Sequence, residues 1–159
     1  MILTKEENQK SLEIGCGVHK IFHDSIGLDK SPHSKADIIR DISRGLPFSD
    51  NTFDIVLAIE VIEHIEKYED LLFLFNEVHR VLKDKGKFIF TTPNGLHSFD
   101  HITHHRMFTT GSFRYFQKAE GDNEHMRISD GITATFDIGW GENTEEQLEG
   151  IFTAIKEEI

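Results

Sequence analysis

Hydrophobic positions along the chain gather into short continuous runs, set apart by polar turns, with one longer stretch at helical spacing between them. The runs at 11–14, 25–29 and 37–40 have the length of strands. A fourth, F-D-I-V-L-A-I-E over 53–60, is apolar on successive residues, as in a strand buried on both faces. From 68 to 82 the residues Leu71, Leu74, Phe75, Val78 and Leu82 recur at the spacing of one helical face. Lys83 and Lys85 sit where a helix C-terminus favours cations, and Gly86 is placed to stop the helix. K-F-I-F-T-T, ending at Pro93, predicts a fifth strand. Strands that alternate with crossover segments imply an α/β fold with a mostly parallel sheet.

The last third reads differently. A histidine- and aromatic-rich stretch covers 94–116, and the polar segment 120–130 predicts an exposed loop. Ile132, Ala134, Phe136, Ile138 and Trp140 alternate with Thr133, Thr135, Asp137 and Gly139. That period predicts a half-buried strand, antiparallel at or near a sheet edge. Thr144 and Gln147 have the spacing of a capping box, and Leu148, Ile151, Phe152, Ile155 and Ile159 share a helical face, so a final helix is predicted. With no internal repeat and no linker, residues 1–159 read as a single domain.

Composition narrows the function classes. No apolar stretch approaches the ~18 residues of a membrane span, and the opening M-I-L-T-K-E-E-N lacks the apolar core of a secretory signal. A lone cysteine, Cys16, excludes an internal disulfide and fits a reducing cytoplasm. Lys and Arg total 17 against 28 Asp and Glu, a net charge of −11, which disfavours a nucleic-acid substrate.

The chemistry begins at S-L-E-I-G-C-G, where the first strand runs into a turn holding Gly15 and Gly17. S-I-G-L-D follows, with an acid, Asp29, closing the second strand. A glycine turn at one strand tip and a carboxylate at the next is how open α/β sheets grip a nucleoside. The plainer alternatives are an ordinary strand-to-helix corner and an Asp29 that caps the turn S-P-H-S.

Together, L-E-I-G-C-G, I-G-L-D, L-P-F-S-D-N-T-F-D-I-V, E-V-I-E-H-I and E-V-H-R-V-L-K-D-K-G-K resemble the class I S-adenosylmethionine-dependent methyltransferases. A second stretch, T-H-H-R-M-F-T-T-G-S-F-R-Y-F, is similar to the segment after the fifth strand in a subgroup of small members resembling methyltransferase type 11. The resemblance implies a Rossmann-like, three-layer αβα sheet fold and S-adenosylmethionine as cofactor. It places Glu13, Gly15, Cys16 and Gly17 around the methionine part of the cofactor and Asp29 on the ribose. It sets Asp41 and Ile42 beside the adenine, with Glu60 and His64 at the end of the fourth strand. Two departures stand out. His19 replaces the usual third glycine, and only twelve positions separate Gly17 from Asp29, so the first crossover helix must shrink to about a turn.

The expected activity is methyl transfer to an oxygen or nitrogen of a small-molecule acceptor. The alternative is a catalytically inactive binder of S-adenosylmethionine or a nucleoside on the same fold. His104 is the candidate general base or acceptor hydrogen-bonder; the bland reading is a polar loop residue. His101 and His105 have the spacing of a metal pair on a helix, but no second ligand pair accompanies them and no metal is expected. Expected partners are the acceptor alone, without nucleic acid or membrane, and a homodimer would compensate for the short tail.

Overall fold

A computed structural model describes residues 3–118 and 122–156. Its elements are Ser11–Ile14 (β1), Ile26–Asp29 (β2), Ile38–Ile39 (β3), Phe53–Ile59 (β4), Tyr68–Val81 (α1), Leu82–Pro93 (β5), Asp122–Ser129 (α2), Phe136–Trp140 (β6) and Gln147–Ala154 (β7). They form a seven-stranded sheet in the order β3-β2-β1-β4-β5-β7-β6. The first five strands run parallel, and β7 inserts antiparallel between β5 and β6. The mixed α/β sheet and its antiparallel late strands agree with the expectation. The chain winds outward from β1 to β3, then returns to β4 on the other flank of β1. That reversal opens a crevice at the carboxyl ends of β1 and β4, where open sheets bind ligands.

α1 forms because its apolar stripe (Leu71, Leu74, Phe75, Val78, Val81) has one sheet face to cover. Phe75 is fully buried and stacks on Phe116 at 4.1 Å, with Phe88 and Phe90 of β5 around it. Phe113 and Phe116 carry the 110–116 segment into this cluster, which anchors the histidine-rich loop above the strand tips. Truncating such a residue to Ala costs ~3–5 kcal/mol. On the opposite face, Ile55, Leu57 and Ile89 are covered by Leu3 and Phe22. The connection between β1 and β2 is a string of turns, as the short Gly17–Asp29 spacing requires, so irregular chain stands where a helical layer was expected.

Three local expectations are corrected. α1 is not stopped by Gly86: Leu82 is already extended and opens β5. Gly86 instead belongs to the irregularity between the pairings Phe53–Leu82 and Ile55–Lys87, where a Cβ would stand 2.9 Å from the Lys83 carbonyl oxygen. The expected loop over 120–130 is in part the exposed helix α2, with residues 120 and 121 outside the described residues; Arg127 docks it through the carbonyls of Gln117 and Ala134.

The predicted final helix is the strand β7, and Ile159 lies outside the described residues. Thr144 does bond Gln147, its Oγ1 accepting that N–H at 3.0 Å, but the pair closes the β6–β7 hairpin. Gly150 decides the matter: a Cβ there would come within 2.4 Å of the Phe90 ring, a close approach only a strand glycine provides.

Candidate functional site

At the β1/β4 reversal lies a cleft of about 600 Å³, walled by Gly15, Asp29, Asp41, Ile42, Glu60, Val61 and His64. Small-molecule sites span roughly 300–1,000 Å³. Six of the nine cofactor residues expected from the sequence therefore face one space. Lys30, Glu66, Lys67, Asp70, Thr103 and His105 also line it, and its carboxylates outnumber its ammonium groups. A second cavity of about 300 Å³ lies at the amino ends of β4 and β5, lined by Leu3, Asp54 and Lys87, away from these groups.

The glycine turn is built by two backbone demands. Gly15 has φ +66°, and a Cβ on it would stand 2.5 Å from Val61 Cγ2; its N–H donates to the Leu28 carbonyl at 2.7 Å, joining the tips of β1 and β2. Gly17 has φ +56° and donates its N–H to Asp29 Oδ2 at 2.9 Å. The other carboxylate oxygen of Asp29 accepts the Ser31 N–H at 2.8 Å. Asp29 therefore caps its turn as the plainer reading had it, and it also lines the cleft. Each oxygen keeps acceptor capacity for a further donor.

Glu13 does not face the cleft. Its buried carboxylate accepts the N–H groups of Ile21 and Phe22, both at 2.7 Å, and the Ser25 hydroxyl at 2.5 Å. Three donors satisfy an acid that burial would otherwise penalise, and its partners lie in the helix-free connection rather than in the glycine turn. Cys16 lines a smaller cavity with Glu13 and His19. Burial pushes its thiol up, and the charges of Asp29 and Glu13 add to the shift, so it is held as an unreactive thiol.

Asp41 caps the short 3-10 turn Ile42–Arg44, accepting the Ser43 N–H at 2.9 Å; that bond holds its carboxyl below the usual range. Glu60 sits past β4 with φ +53° and accepts the Gln147 amide at 2.9 Å. A non-glycine residue in that region is strained, a condition that clusters at binding sites. His64 follows in the 3-10 turn Ile62–His64, its Nδ1 3.2 Å from the Thr103 carbonyl. Burial lowers its pKa, and the neighbouring His104 adds to the shift.

His104 lies outside the cleft wall. Its ring packs edge-on against His64 at 4.7 Å, and Nδ1 sits 2.7 Å from the Ser98 carbonyl. Thr103 and His105 take the cleft positions instead. His101 and His105 do not share a helical face, because residues 101–104 make a turn. This loop is pinned to the 62–66 turn: His105 N–H donates to the Glu63 carbonyl at 2.9 Å, and Arg106 grips the carbonyls of Ile65 and Glu66.

Glu63 is the functional candidate that the sequence reading passed over. It is fully buried, and neither carboxylate oxygen makes a well-formed hydrogen bond among the described residues, although the Thr92 hydroxyl and the Glu60 carboxylate lie beside it. Burial pushes its carboxyl well above the usual range, with the Glu60 charge adding. The signal for it was an acid between Ile62 and Ile65, a place where charge is costly.

The sheet order, with its antiparallel penultimate position, and the cleft at the β1/β4 tips define a Rossmann-like nucleotide-binding class. Residues 12–90 match the family described as Methyltransferase domain. A TehB-like S-adenosylmethionine-dependent methyltransferase from Corynebacterium glutamicum superposes with a TM-score of 0.64 at 16% identity, covering 94% of this chain and 82% of that one. A chain from the complex between the Haloferax volcanii Trm112 methyltransferase activator and a methyltransferase gives 0.62 at 17% identity, covering 98% and 86%. An uncharacterized protein of Methanocaldococcus jannaschii is 37% identical over 109 residues, 59% of this chain and 46% of that protein. The aligned segment thus spans under half the length of that relative. Over residues 12–90 the chain belongs to the methyltransferase-domain family, and its fold is that of the class I S-adenosylmethionine-dependent methyltransferases, whose cofactor is S-adenosylmethionine. Among the described residues no helix is long and apolar enough to cross a membrane.

Proposed function

We propose that the protein holds S-adenosylmethionine in the 600 Å³ cleft and transfers its methyl group to an oxygen or nitrogen of a small-molecule acceptor. The observation that carries this reading is the convergence of Gly15, Asp29, Asp41, Ile42, Glu60 and His64 on that one space. Gly15 leaves room for the methionine part at the β1 tip. Asp29 offers its remaining lone pairs to the ribose hydroxyls, already oriented by the Gly17 and Ser31 amides. Asp41 and Ile42 flank the adenine, and Glu60 faces the α-amino end. When bound, the cofactor supplies an activated methyl group on a sulfonium, open to in-line displacement. The chain's own share is to orient the acceptor and exclude water. The excess of carboxylates around the cleft favours a cationic ligand. Cys16 and Gly17 complete the glycine turn, and Glu13 ties down the connection that follows it.

Titration calorimetry with S-adenosylmethionine and its demethylated product tests the binding half, with Asp29→Ala expected to weaken both at least about tenfold. Undiminished affinity in that variant would remove Asp29 from the site. Labelled methyl transfer into a broad acceptor pool tests the second half; tight binding without transfer would favour the inactive-binder alternative.

A further inference from the structure

We propose that Glu63, His64 and His104 form a binding site for a divalent transition-metal ion of the zinc class, set beside the cleft wall at His64. One ligand atom from each of the three residues lies within 4.8 Å of the others. Ligands on a four-coordinate zinc ion at ~2.0–2.1 Å stand ~3.3 Å apart, so the set need close by at most about 1.5 Å.

Two features distinguish this group from a chance cluster. The first is the Glu63 carboxylate, fully buried beside the Glu60 carboxylate and the Thr92 hydroxyl, with neither oxygen in a well-formed hydrogen bond. Native proteins leave few such groups, and each calls for a physical reason. A cation supplies one: it replaces the missing donors with charge. The second is the state of the imidazoles. Nδ1 of His64 faces the Thr103 carbonyl and Nδ1 of His104 faces the Ser98 carbonyl. A carbonyl only accepts, so Nδ1 of His104 carries the hydrogen and its Nε2 keeps a lone pair; Nδ1 of His64 also lies 3.1 Å from the Thr103 hydroxyl, which can donate or accept. Histidines that bind metals are oriented in this way, by a carbonyl on the far ring nitrogen.

The donor set decides the ion. Two imidazoles with one carboxylate suit zinc, iron or manganese better than magnesium or calcium, which prefer oxygen alone. Backbone bonds hold the two halves of the site together without it, through His105 N–H to the Glu63 carbonyl. Three protein ligands leave coordination positions open. His64 lines the cleft, so an open position lies within reach of an acceptor oxygen; that last step rests on the methyltransferase reading, whereas metal binding does not.

The test uses the whole protein stripped with chelator, titrated with zinc chloride against a chromophoric competitor, and separately with cobalt chloride followed by visible absorption. One equivalent is expected to bind, with a cobalt spectrum free of thiolate bands. His104→Ala and Glu63→Gln should each weaken zinc at least about tenfold, while His97→Ala, which alters an exposed histidine of the same loop, should not. Circular dichroism and binding of the demethylated cofactor report whether each variant is folded, and the half-exposed His104 keeps the test available should Glu63→Gln fail to fold. Wild-type affinity no better than that of His104→Ala, or loss of binding in His97→Ala, would overturn the site.

Discussion

Gly15 and Val61 meet so closely that a methyl group on the glycine would lie 2.5 Å from Cγ2 of the valine. This contact sets the β1 tip against a residue two positions past the end of β4, and both residues line the cleft. Gly15→Ala therefore faces a steric clash and a φ of +66°. Together they should cost about 2–4 kcal/mol and lower Tm by roughly 5–15 °C. Adding Val61→Ala should return the steric part but not the backbone part. If the double variant melts no higher than Gly15→Ala, the contact is not the source of the loss.

Asp29→Asn separates charge from shape. The amide keeps one acceptor oxygen for Gly17 or Ser31 but turns a donor toward the other N–H. Cofactor affinity should fall by roughly one to two powers of ten, since a bond to a charged group is worth ~1.5–3 kcal/mol. Calorimetry on Asn and Ala variants side by side gives the comparison; equal losses would mean the charge itself carries the effect.

Glu13 predicts the reverse balance. Its carboxylate ties Ile21, Phe22 and Ser25 into the helix-free connection. Glu13→Gln places an NH₂ against those donors and should destabilise the fold by about 2–3 kcal/mol. Any drop in cofactor affinity should be smaller than for Asp29→Asn. Denaturant unfolding read beside calorimetry checks this, and a variant that binds poorly yet melts like wild type would put Glu13 back in the cleft.

Where these residues were legible, the reason is local chemistry. β1, the glycine turn and Asp29 lie within one short stretch, so spacing alone exposed them. α1 and β4 carry patterns that only one element satisfies. β7 was misread because Leu148, Ile151, Phe152 and Ile155 fit a helical face as well as a strand with two buried sides; only Gly150, pressed on Phe90 from a distant part of the chain, separates the two. Glu63 was hidden for the same reason. Its burial is completed by the loop that carries His104 and His105, some forty positions onward, and no local pattern records that closure.

His79 gives the molecule an acid sensitivity of its own. Half-buried at the end of α1, it bonds the Ile155 carbonyl through Nε2 at 3.0 Å and packs edge-on against Phe136. Burial lowers its pKa, and the nearby Lys156 and Arg127 charges push the same way. The folded state thus resists a proton that the unfolded chain accepts from its ordinary value of about 6.5 downward. Stability is full above that value and declines as pH falls toward the folded pKa, by at most about 1.4 kcal/mol per unit for this one group. His79→Gln keeps a donor for Ile155 without a titrating charge. Urea midpoints between pH 7.5 and 5, taken with chelator present, should fall less steeply for the variant. Parallel slopes would show that His79 is not the group that couples folding to protons.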